Sequence, residues 1–235
     1  MIPLVGSSCA VSPGERSRMW IKWISCEVPV ATRERFSGAQ RAWSTISDQP
    51  GLIGQVGGWD PATDRAHLLG LWTGAEAYKC FMRDRHDAVT ARNRQDDSYT
   101  AIEIATGEVL IEMAGDSANL CHALEHATLL RVADCSLLPG REEHFIDVQR
   151  RIWAPGMAAA GGMLAGAFIR LEPRRYLVTT LWSDAAAHQH YSTQHLPALR
   201  SRAAPENDLQ SITGHALPLE ADWRVLPEER PSAGG

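Results

Sequence analysis

The sequence lacks the features that would place it at a membrane, on nucleic acid or outside the cell. No apolar run approaches the roughly 20 residues that a membrane-spanning helix needs, and Met1–Arg18 lacks the basic start and apolar core of a signal peptide. Lysine and arginine total 23 against 28 acidic residues, a formal net charge of −5, so neither nucleic acid nor an anionic membrane is an expected partner. The five cysteines form no CxxC pair, which is typical of a cytoplasmic protein.

What the 235 residues do contain is the composition of a globular protein, 44% hydrophobic and 22% charged. That length allows one large domain or two of about a hundred residues each. We expect two units joined by a linker, with a loose segment at either end. The predicted ranges are a flexible leader at 1–18, a first unit at 19–113, a linker at 114–127, a second unit at 128–225 and a disordered tail at 226–235.

One stretch of the chain occurs twice, as LWTGAEAYKCFMRDRH from residue 71 and as LWSDAAAHQHYSTQH from residue 181. Trp72 and Trp182 lie 110 residues apart. A single offset held across a strand and a helix indicates an internal duplication. Four further pairs keep an offset of 109 residues: Cys26 and Cys135, Phe36 and Phe145, Gln40 and Gln149, and Arg41 and Arg150.

Each copy predicts the order strand, helix, strand, strand, helix, strand. Met19–Val28 alternates apolar and polar residues like a half-buried strand, and Phe36, Ala39 and Trp43 then recur at helical spacing. This is the order of a ferredoxin-like unit, whose four-stranded sheet carries helices on one face and leaves the other face bare. We therefore predict an α+β fold in which two tandem ferredoxin-like units pack sheet to sheet, as an intramolecular dimeric α+β barrel. The expected assembly is a monomer with an internal pseudo-dimer, with a homodimer as the alternative.

His86 is the first candidate for chemistry, because it lies on an otherwise apolar and aromatic helix face. Tyr78, Met82 and His86 are four residues apart, with Phe81 beside them. A histidine in this position is suited to be an axial haem ligand, or a general base that removes a proton before oxygen reacts. It is equally suited to be a core histidine bonded to the backbone, and the sequence leaves the three roles open.

The second copy offers three histidines, which do not make a plausible mononuclear metal site. His188 and His190 diverge on a helix, and His188 and His195 are two turns apart. His195 is the approximate counterpart of His86 and lies four residues after Tyr191. Either it faces a substrate or the cluster is polar surface. The HxxEH spelling from His122 falls in the predicted linker, which argues against a zinc protease.

We expect the ligand cavity of each unit between its sheet and its helices, with aromatic walls. Tryptophan at such positions first serves core packing, and where it reaches a cavity it stacks on planar ligands. The candidate substrate-binding residues are Trp43, Trp72, Tyr78, Phe81, Trp153, Trp182, His188 and Tyr191.

Several of these sequence segments resemble a known superfamily. The second unit looks like the antibiotic-biosynthesis monooxygenase group of dimeric α+β barrels in three features: Trp182, the run Ala-Ala-His ending at His188, and His195. The first unit, with GQVGGWDP at 54–61 and NRQDDSY at 93–99, is similar to an uncharacterised, YdbC-like branch of that superfamily. The resemblance covers both copies, over residues 19–113 and 128–220.

The resemblance implies a small oxidoreductase of the monooxygenase type that acts on a planar aromatic or polyketide-like molecule in secondary metabolism. His86 and His195 would then be the catalytic residues of their units. The implied cofactor is either none or haem, and His86 would be the iron ligand if haem is bound. Superfamily members have diverse activities, so two alternatives stay open: a haem-binding or haem-dependent protein, and a non-catalytic small-molecule binding or stress protein.

Overall fold

The computed structural model describes residues 18–228, so most of the predicted leader and tail lies outside the described residues. In the first repeat the strands are β1 (Trp20–Glu27), β2 (Leu52–Trp59), β3 (Ala66–Trp72) and β4 (Ala101–Ala114). In the second repeat they are β5 (Leu129–Leu137), β6 (Met163–Glu172), β7 (Arg175–Trp182) and β8 (Leu209–Pro218). The helices of the first repeat are α1 (Arg33–Arg41), α2 (Ala75–Phe81) and α3 (Asp87–Asn93), and α4 (Leu120–His126) joins the repeats. The second repeat has α5 (Glu142–Val148), α6 (Ala154–Ala158), α7 (Ala185–Gln194) and α8 (Leu196–Ala203).

The eight strands form one antiparallel sheet in the order β2-β3-β1-β4-β6-β7-β5-β8. Each half of this order is that of a ferredoxin-like unit, with the first strand of the repeat between its third and fourth. The predicted fold class, two tandem ferredoxin-like units forming an intramolecular α+β barrel, is confirmed. The two sheets are continuous through the pairing of β4 with β6, and the long sheet curls so that its inner face is shared.

The inner face of the barrel is a single apolar core built from both repeats. Ile21, Leu69, Leu130 and Leu177 belong to it, and none is more than 2% exposed. Burying this surface stabilises the fold by about 25 cal/mol per Å² of apolar area. Helix α4 closes one end, where Leu124 is fully buried in the same core. The segment predicted as a linker, 114–127, therefore contains a helix that packs into the core.

The two joints between the repeats differ. Strands β4 and β6 pair from Glu108 to Ala114, whereas β2 meets the chain that follows β8 at two isolated bridges, Gly58 with Leu219 and Gln55 with Val225. A Cβ atom on Gly58 would lie 2.0 Å from the carbonyl oxygen of Pro218. The glycine is required because the second repeat's backbone approaches it directly.

The helices cover the outer face of each half-sheet. The helix that carries Tyr78, Met82 and His86 runs from Ala75 to Asn93, with a π-helical turn at Met82–His86 between α2 and α3. The helix that follows Asp184 is interrupted between α7 and α8, because Pro197 in the first turn of α8 has no amide hydrogen to continue the ladder. Within residues 18–228, the structure contains no helix with both the length and the apolar character needed to cross a bilayer.

Candidate ligand-binding site

A cavity of about 160 Å³ lies between the sheet and the helices of the second repeat. We call it the second-repeat cavity. Its walls come from β5 and β7 on one side and from α5 to α8 on the other, which is where the sequence predicted a ligand cavity. Most of the lining is apolar or aromatic. The lining residues are Arg131, Ala133, Cys135, Phe145, Gln149, Trp153, Met157, Val178, Tyr191, Leu196, Arg200, Pro205, Leu209 and Ile212.

Arg131 is the one strongly polar group that the sheet contributes to this cavity. Leu130 and Val132 on either side of it point into the barrel core, so the alternation of β5 turns Arg131 towards the helices. Burial lowers the pKa of Arg131, against the opposing influence of Tyr191 and Cys135, and the guanidinium remains protonated at neutral pH. No hydrogen bond or ion pair joins it to another of residues 18–228. Arg131 is partly buried, and a cation in that position without a counter-ion is suited to bind an anion.

Two further side chains reach the cavity because α5 continues into a π-helical turn at Gln149–Trp153. Such turns frequently occur at functional sites. The side-chain oxygen of Gln149 is buried without a hydrogen-bond partner among the described residues, and Trp153 supplies an aromatic wall. The cavity therefore combines an apolar interior with unused donor and acceptor groups, the usual composition of a small-molecule site.

A groove of about 360 Å³ adjoins the second-repeat cavity. Arg131, Tyr191 and Leu196 line both spaces, so the groove is a route from solvent to the buried guanidinium. His188 of α7 also lines the groove, and burial, followed by the charge of Arg131, lowers the pKa of its imidazole. His188 is therefore neutral at pH 7, the form of imidazole that can accept a proton.

The first repeat has a cation at the position equivalent to Arg131. Lys22 lies 109 residues before it, and its ammonium lies 6.0 Å from the centre of the Tyr78 ring. Burial lowers the pKa of Lys22 to about 8. Gln40, the equivalent of Gln149, is likewise buried without a hydrogen-bond partner among the described residues. A cation and a buried glutamine thus occur at equivalent positions in both repeats.

The structure brings the first-repeat candidates together as a packed aromatic cluster on the outer face of β3. Trp43, Trp72 and Phe81 are buried there, with Tyr78 packed against them. The His86 ring lies 5.8 Å from the rings of both Trp43 and Phe81. Its Nδ1 atom is 3.1 Å from a carboxylate oxygen of Asp87, and its side chain is 20% exposed. A catalytic or haem-ligating role for His86 stays a prediction.

The second-repeat candidates are spread over cavity, groove and surface. Trp153 and Tyr191 line the cavity, and His188 lines the groove. Trp182 is fully buried and donates a hydrogen bond from its indole to Thr180 at 2.9 Å. His195 is exposed, with its ring 6.3 Å from that of Tyr191, and it lines neither space. A catalytic role for His195 would need substrate outside the cavity.

Haem does not fit the second-repeat cavity. None of its lining residues is a histidine, and its volume of about 160 Å³ is below the 300 Å³ or so at which pockets for drug-sized ligands begin. Sequence reasoning also missed Arg131, the group that gives the cavity its chemistry. The signal was available, because Lys22 and Arg131 share the repeat offset and both interrupt the apolar pattern of a predicted strand.

Comparison with known proteins links the first repeat to one family and the whole fold to another group of proteins. A domain of unknown function, DUF4937, matches residues 20–106. The uncharacterised protein YdbC of Bacillus subtilis is 37% identical over 93 residues, which are 38% of this chain and 78% of YdbC.

Two solved structures share the fold over nearly the whole chain. A proposed monooxygenase from Lactobacillus acidophilus has a TM-score of 0.69 at 12% identity, over 89% of this chain and 97% of its own. An anthrone oxidase-like protein has a TM-score of 0.61 at 12% identity, over 93% of this chain and 98% of its own. At this identity the similarity establishes the monooxygenase-like α+β barrel fold. Through its first repeat, the chain belongs to the DUF4937 family of YdbC-like proteins.

Proposed function

We propose that this protein is a monooxygenase-type oxidoreductase whose substrate is a small planar aromatic molecule bearing an acidic hydroxyl or enol group. The substrate would bind in the second-repeat cavity, with its oxyanion on Arg131. The observation that carries the proposal is the partly buried, unpaired guanidinium of Arg131 in a mostly apolar cavity. The similarity to monooxygenase-like and anthrone oxidase-like structures supports the reaction type.

Arg131 selects for an anion because a buried positive charge without a partner is costly. A phenolate or enolate oxygen would supply that partner through charge-assisted hydrogen bonds, which are about twice as strong as neutral ones. The same interaction would favour the ionised substrate, the electron-rich form that reacts with oxygen. Gln149 would hold a second polar substituent, since its side-chain oxygen is unpaired among the described residues.

The dimensions of the site favour one ring inside and the rest of the molecule outside. A cavity of about 160 Å³ resembles in size the roughly 150 Å³ apolar cavity that accommodates benzene. Trp153 and Phe145 provide flat walls on which an aromatic ring can stack. A larger fused system would extend past Arg131 into the groove lined by His188.

The proposed reaction converts an activated CH₂ group of the substrate to C=O. One atom of O₂ becomes the carbonyl oxygen, and the other leaves as water with the two hydrogens of the CH₂ group, so no separate reductant is consumed. His188 would accept the first proton, because it is neutral at pH 7 and lines the groove beside Arg131. It would return that proton as water forms.

Binding and turnover separate this proposal from the alternative of a non-catalytic binding protein. We expect aromatic ketones with an enolisable CH₂ group, such as anthrone, to quench tryptophan fluorescence and to cause oxygen uptake. Arg131→Met should weaken binding about tenfold to a hundredfold, as the loss of a charge-assisted hydrogen bond predicts. Lys22→Met removes the equivalent cation of the first repeat and is the matched control, with binding expected to be unchanged.

Three results would contradict the proposal in different ways. Equal binding by wild type and Arg131→Met would show that Arg131 does not bind the substrate. Weaker binding by Lys22→Met alone would show that the substrate binds in the first repeat. Normal Arg131-dependent binding without oxygen uptake or carbonyl product would leave a binding protein and reject the enzyme.

A further inference from the structure

Asp60, His67 and His215 meet at the end of the barrel opposite α4. Asp60 follows β2, His67 is on β3, and His215 is on β8, so the cluster joins the two repeats beside the short bridge of Gly58 and Leu219. The Asp60 Oδ2 atom lies 2.8 Å from Nδ1 of His215 and 3.9 Å from Nε2 of His67. One ligand atom from each of the three residues lies within 4.8 Å of the other two.

His67 is the unusual member of this cluster. The residue is 1% exposed, and neither ring nitrogen has a hydrogen-bond partner among the described residues. Its ring is stacked on Trp23 with centroids 4.9 Å apart, which fixes the orientation of the imidazole. Leaving a buried polar group unpaired costs about 1–3 kcal/mol. This arrangement therefore indicates a partner for the imidazole that residues 18–228 do not supply.

The carboxylate of Asp60 is held in place by its own loop. Oδ1 accepts a hydrogen bond from the amide of Ala62, and Oδ2 accepts one from the hydroxyl of Thr63, both at 2.9 Å. The site thus presents a fixed, ionised carboxylate beside two imidazoles, a ligand set common to zinc and non-haem iron proteins.

One side of the cluster is open. His67 and His215 line a cavity of about 570 Å³ at the mouth of the barrel, together with Trp23, Ser25 and Thr213. The nearby cation Arg65 is already paired with Glu27 and Glu103, each at 3.0 Å. A bound cation would therefore find room for water or a ligand on its remaining positions, as catalytic rather than closed structural sites do.

We propose that Asp60, His67 and His215 bind a divalent first-row transition-metal ion at the mouth of the barrel. Tetrahedral ligands about 2.0–2.1 Å from a zinc ion lie about 3.4 Å apart, so the His67 and His215 side chains need to move by about 1 Å or less. None of the three residues lines the second-repeat cavity, but Asp60 and His215 also line the groove that leads to Arg131. Metal binding by these residues does not depend on the function proposed for that cavity. Its consequence is a metal-dependent link across the weaker joint between the repeats.

Cobalt binding tests the site directly, because Co²⁺ replaces Zn²⁺ and reports its ligand geometry in the visible spectrum. After dialysis against a chelator, the full chain should bind one equivalent of Co²⁺ that Zn²⁺ displaces. Asp60→Asn, His215→Gln and His67→Phe should each weaken binding about 100-fold or more. Phenylalanine keeps the stacking of residue 67 on Trp23 and removes an unpaired polar group, so this variant should fold.

The matched control removes a different histidine pair. His122 and His126 stack at 4.0 Å on the surface of α4, a spacing that can itself hold a metal ion. The double variant His122→Gln/His126→Gln should bind Co²⁺ as wild type does, and so should Arg131→Met. Zn²⁺ should raise the melting temperature of the wild type and of both controls, but not of His67→Phe.

Three results would overturn the proposal. The first is Co²⁺ binding that survives unchanged in folded His67→Phe and His215→Gln. The second is Co²⁺ binding that is lost in the α4 double variant. The third is wild-type protein that takes up no Co²⁺ at a concentration of metal well above that of the protein.

Discussion

At the scale of single residues, the two repeats keep a cation where a strand would ordinarily carry an apolar side chain. Arg131 cannot lose its charge, so its burial is relieved only by an anion. Lys22 can lose its proton, and burial lowers its pKa from 10.5 to about 8. The same position in the fold is therefore a permanent charge in one repeat and a titrating charge in the other.

Replacing Lys22 by methionine should stabilise the protein at neutral pH. Below pH 8 the lysine is charged in both the folded and the unfolded state, and the cost of burying it is present in full. Between pH 8 and 10.5 the folded state releases the proton first, so the stability of the wild type rises towards that of the variant. We expect Lys22→Met to increase the free energy of unfolding by about 2 kcal/mol at pH 7.

Urea denaturation at pH 7 and at pH 10.5 checks this prediction, because the difference between the proteins should shrink at the higher pH. Lys79→Met is the control, since Lys79 is exposed and paired with Glu76 on the surface of α2. A destabilised Lys22→Met variant at pH 7, or a gain in the free energy of unfolding that does not change with pH, would show that burial of the charged Lys22 does not destabilise the folded state.

Sequence reasoning at this scale succeeded where a local pattern carried the information. Alternation in Met19–Val28 placed Ile21 and Trp23 on one face of β1, and helical spacing placed Phe36 and Trp43 in the core. It could not pair Asp60 with His215, because 155 residues separate them and only the closing of the barrel brings them together. Nothing in the local sequence of His67 marks it as unpaired.

At the scale of elements, the joint between β2 and β8 depends on the absence of one side chain. Gly58→Ala would place a methyl group 2.0 Å from the carbonyl oxygen of Pro218, and backbone on both sides would have to move. We expect a loss of about 3 kcal/mol in the free energy of unfolding, at the upper end for overpacking. The loosened joint should also speed exchange of the Glu220 amide, which donates a hydrogen bond to the carbonyl oxygen of Gly57 at 2.9 Å.

Gly70→Ala is the matched control for this substitution. Gly70 lies in the neighbouring strand β3, where the nearest atom to an added Cβ is 3.7 Å away, an ordinary contact. The free energy of unfolding of Gly70→Ala should differ from that of the wild type by less than about 1 kcal/mol. Chemical denaturation and hydrogen exchange measure both effects, and equal losses in the two variants would mean that the close approach of β8 is unimportant.

The order and type of the elements were predictable because apolar periodicity differs between strands and helices. Two details were not. The π-helical turns at Met82–His86 and Gln149–Trp153 leave no signature in helical spacing. The pairing of β4 with β6 depends on how the edges of two half-sheets meet, which neither repeat specifies alone.

At the scale of the whole molecule, both repeats contribute to one barrel core, so they should unfold together. Ile21 and Leu69 of the first repeat share that core with Leu130 and Leu177 of the second. We expect tryptophan fluorescence and far-ultraviolet circular dichroism to give coincident urea transitions, and calorimetry to give equal calorimetric and van't Hoff enthalpies. Two separated transitions, or an intermediate that keeps half of the secondary structure, would contradict a shared core.

The duplication itself was the strongest signal in the chain, and it carried the fold prediction. One offset held by Cys26 and Cys135 and by Gln40 and Gln149 implies two copies of one unit, and a half-sheet with a bare apolar face needs a second one. What distinguishes the copies was harder to predict. The cavity of the second repeat depends on how helices α5 to α8 pack, which side-chain spacing does not specify.

The unequal joints also bear on how such a protein can change over generations. In a barrel made of two identical chains, every substitution appears on both sides of the twofold axis at once, so a change that improves one joint also alters the other. Joining the copies in one chain gives each position two independent versions. The extended pairing of β4 with β6 can then hold the molecule together, while the short bridge of Gly58 and Leu219 leaves its surroundings free to acquire polar residues. Selection can thus change the residues around Asp60 and His215 without changing the pairing of β4 with β6.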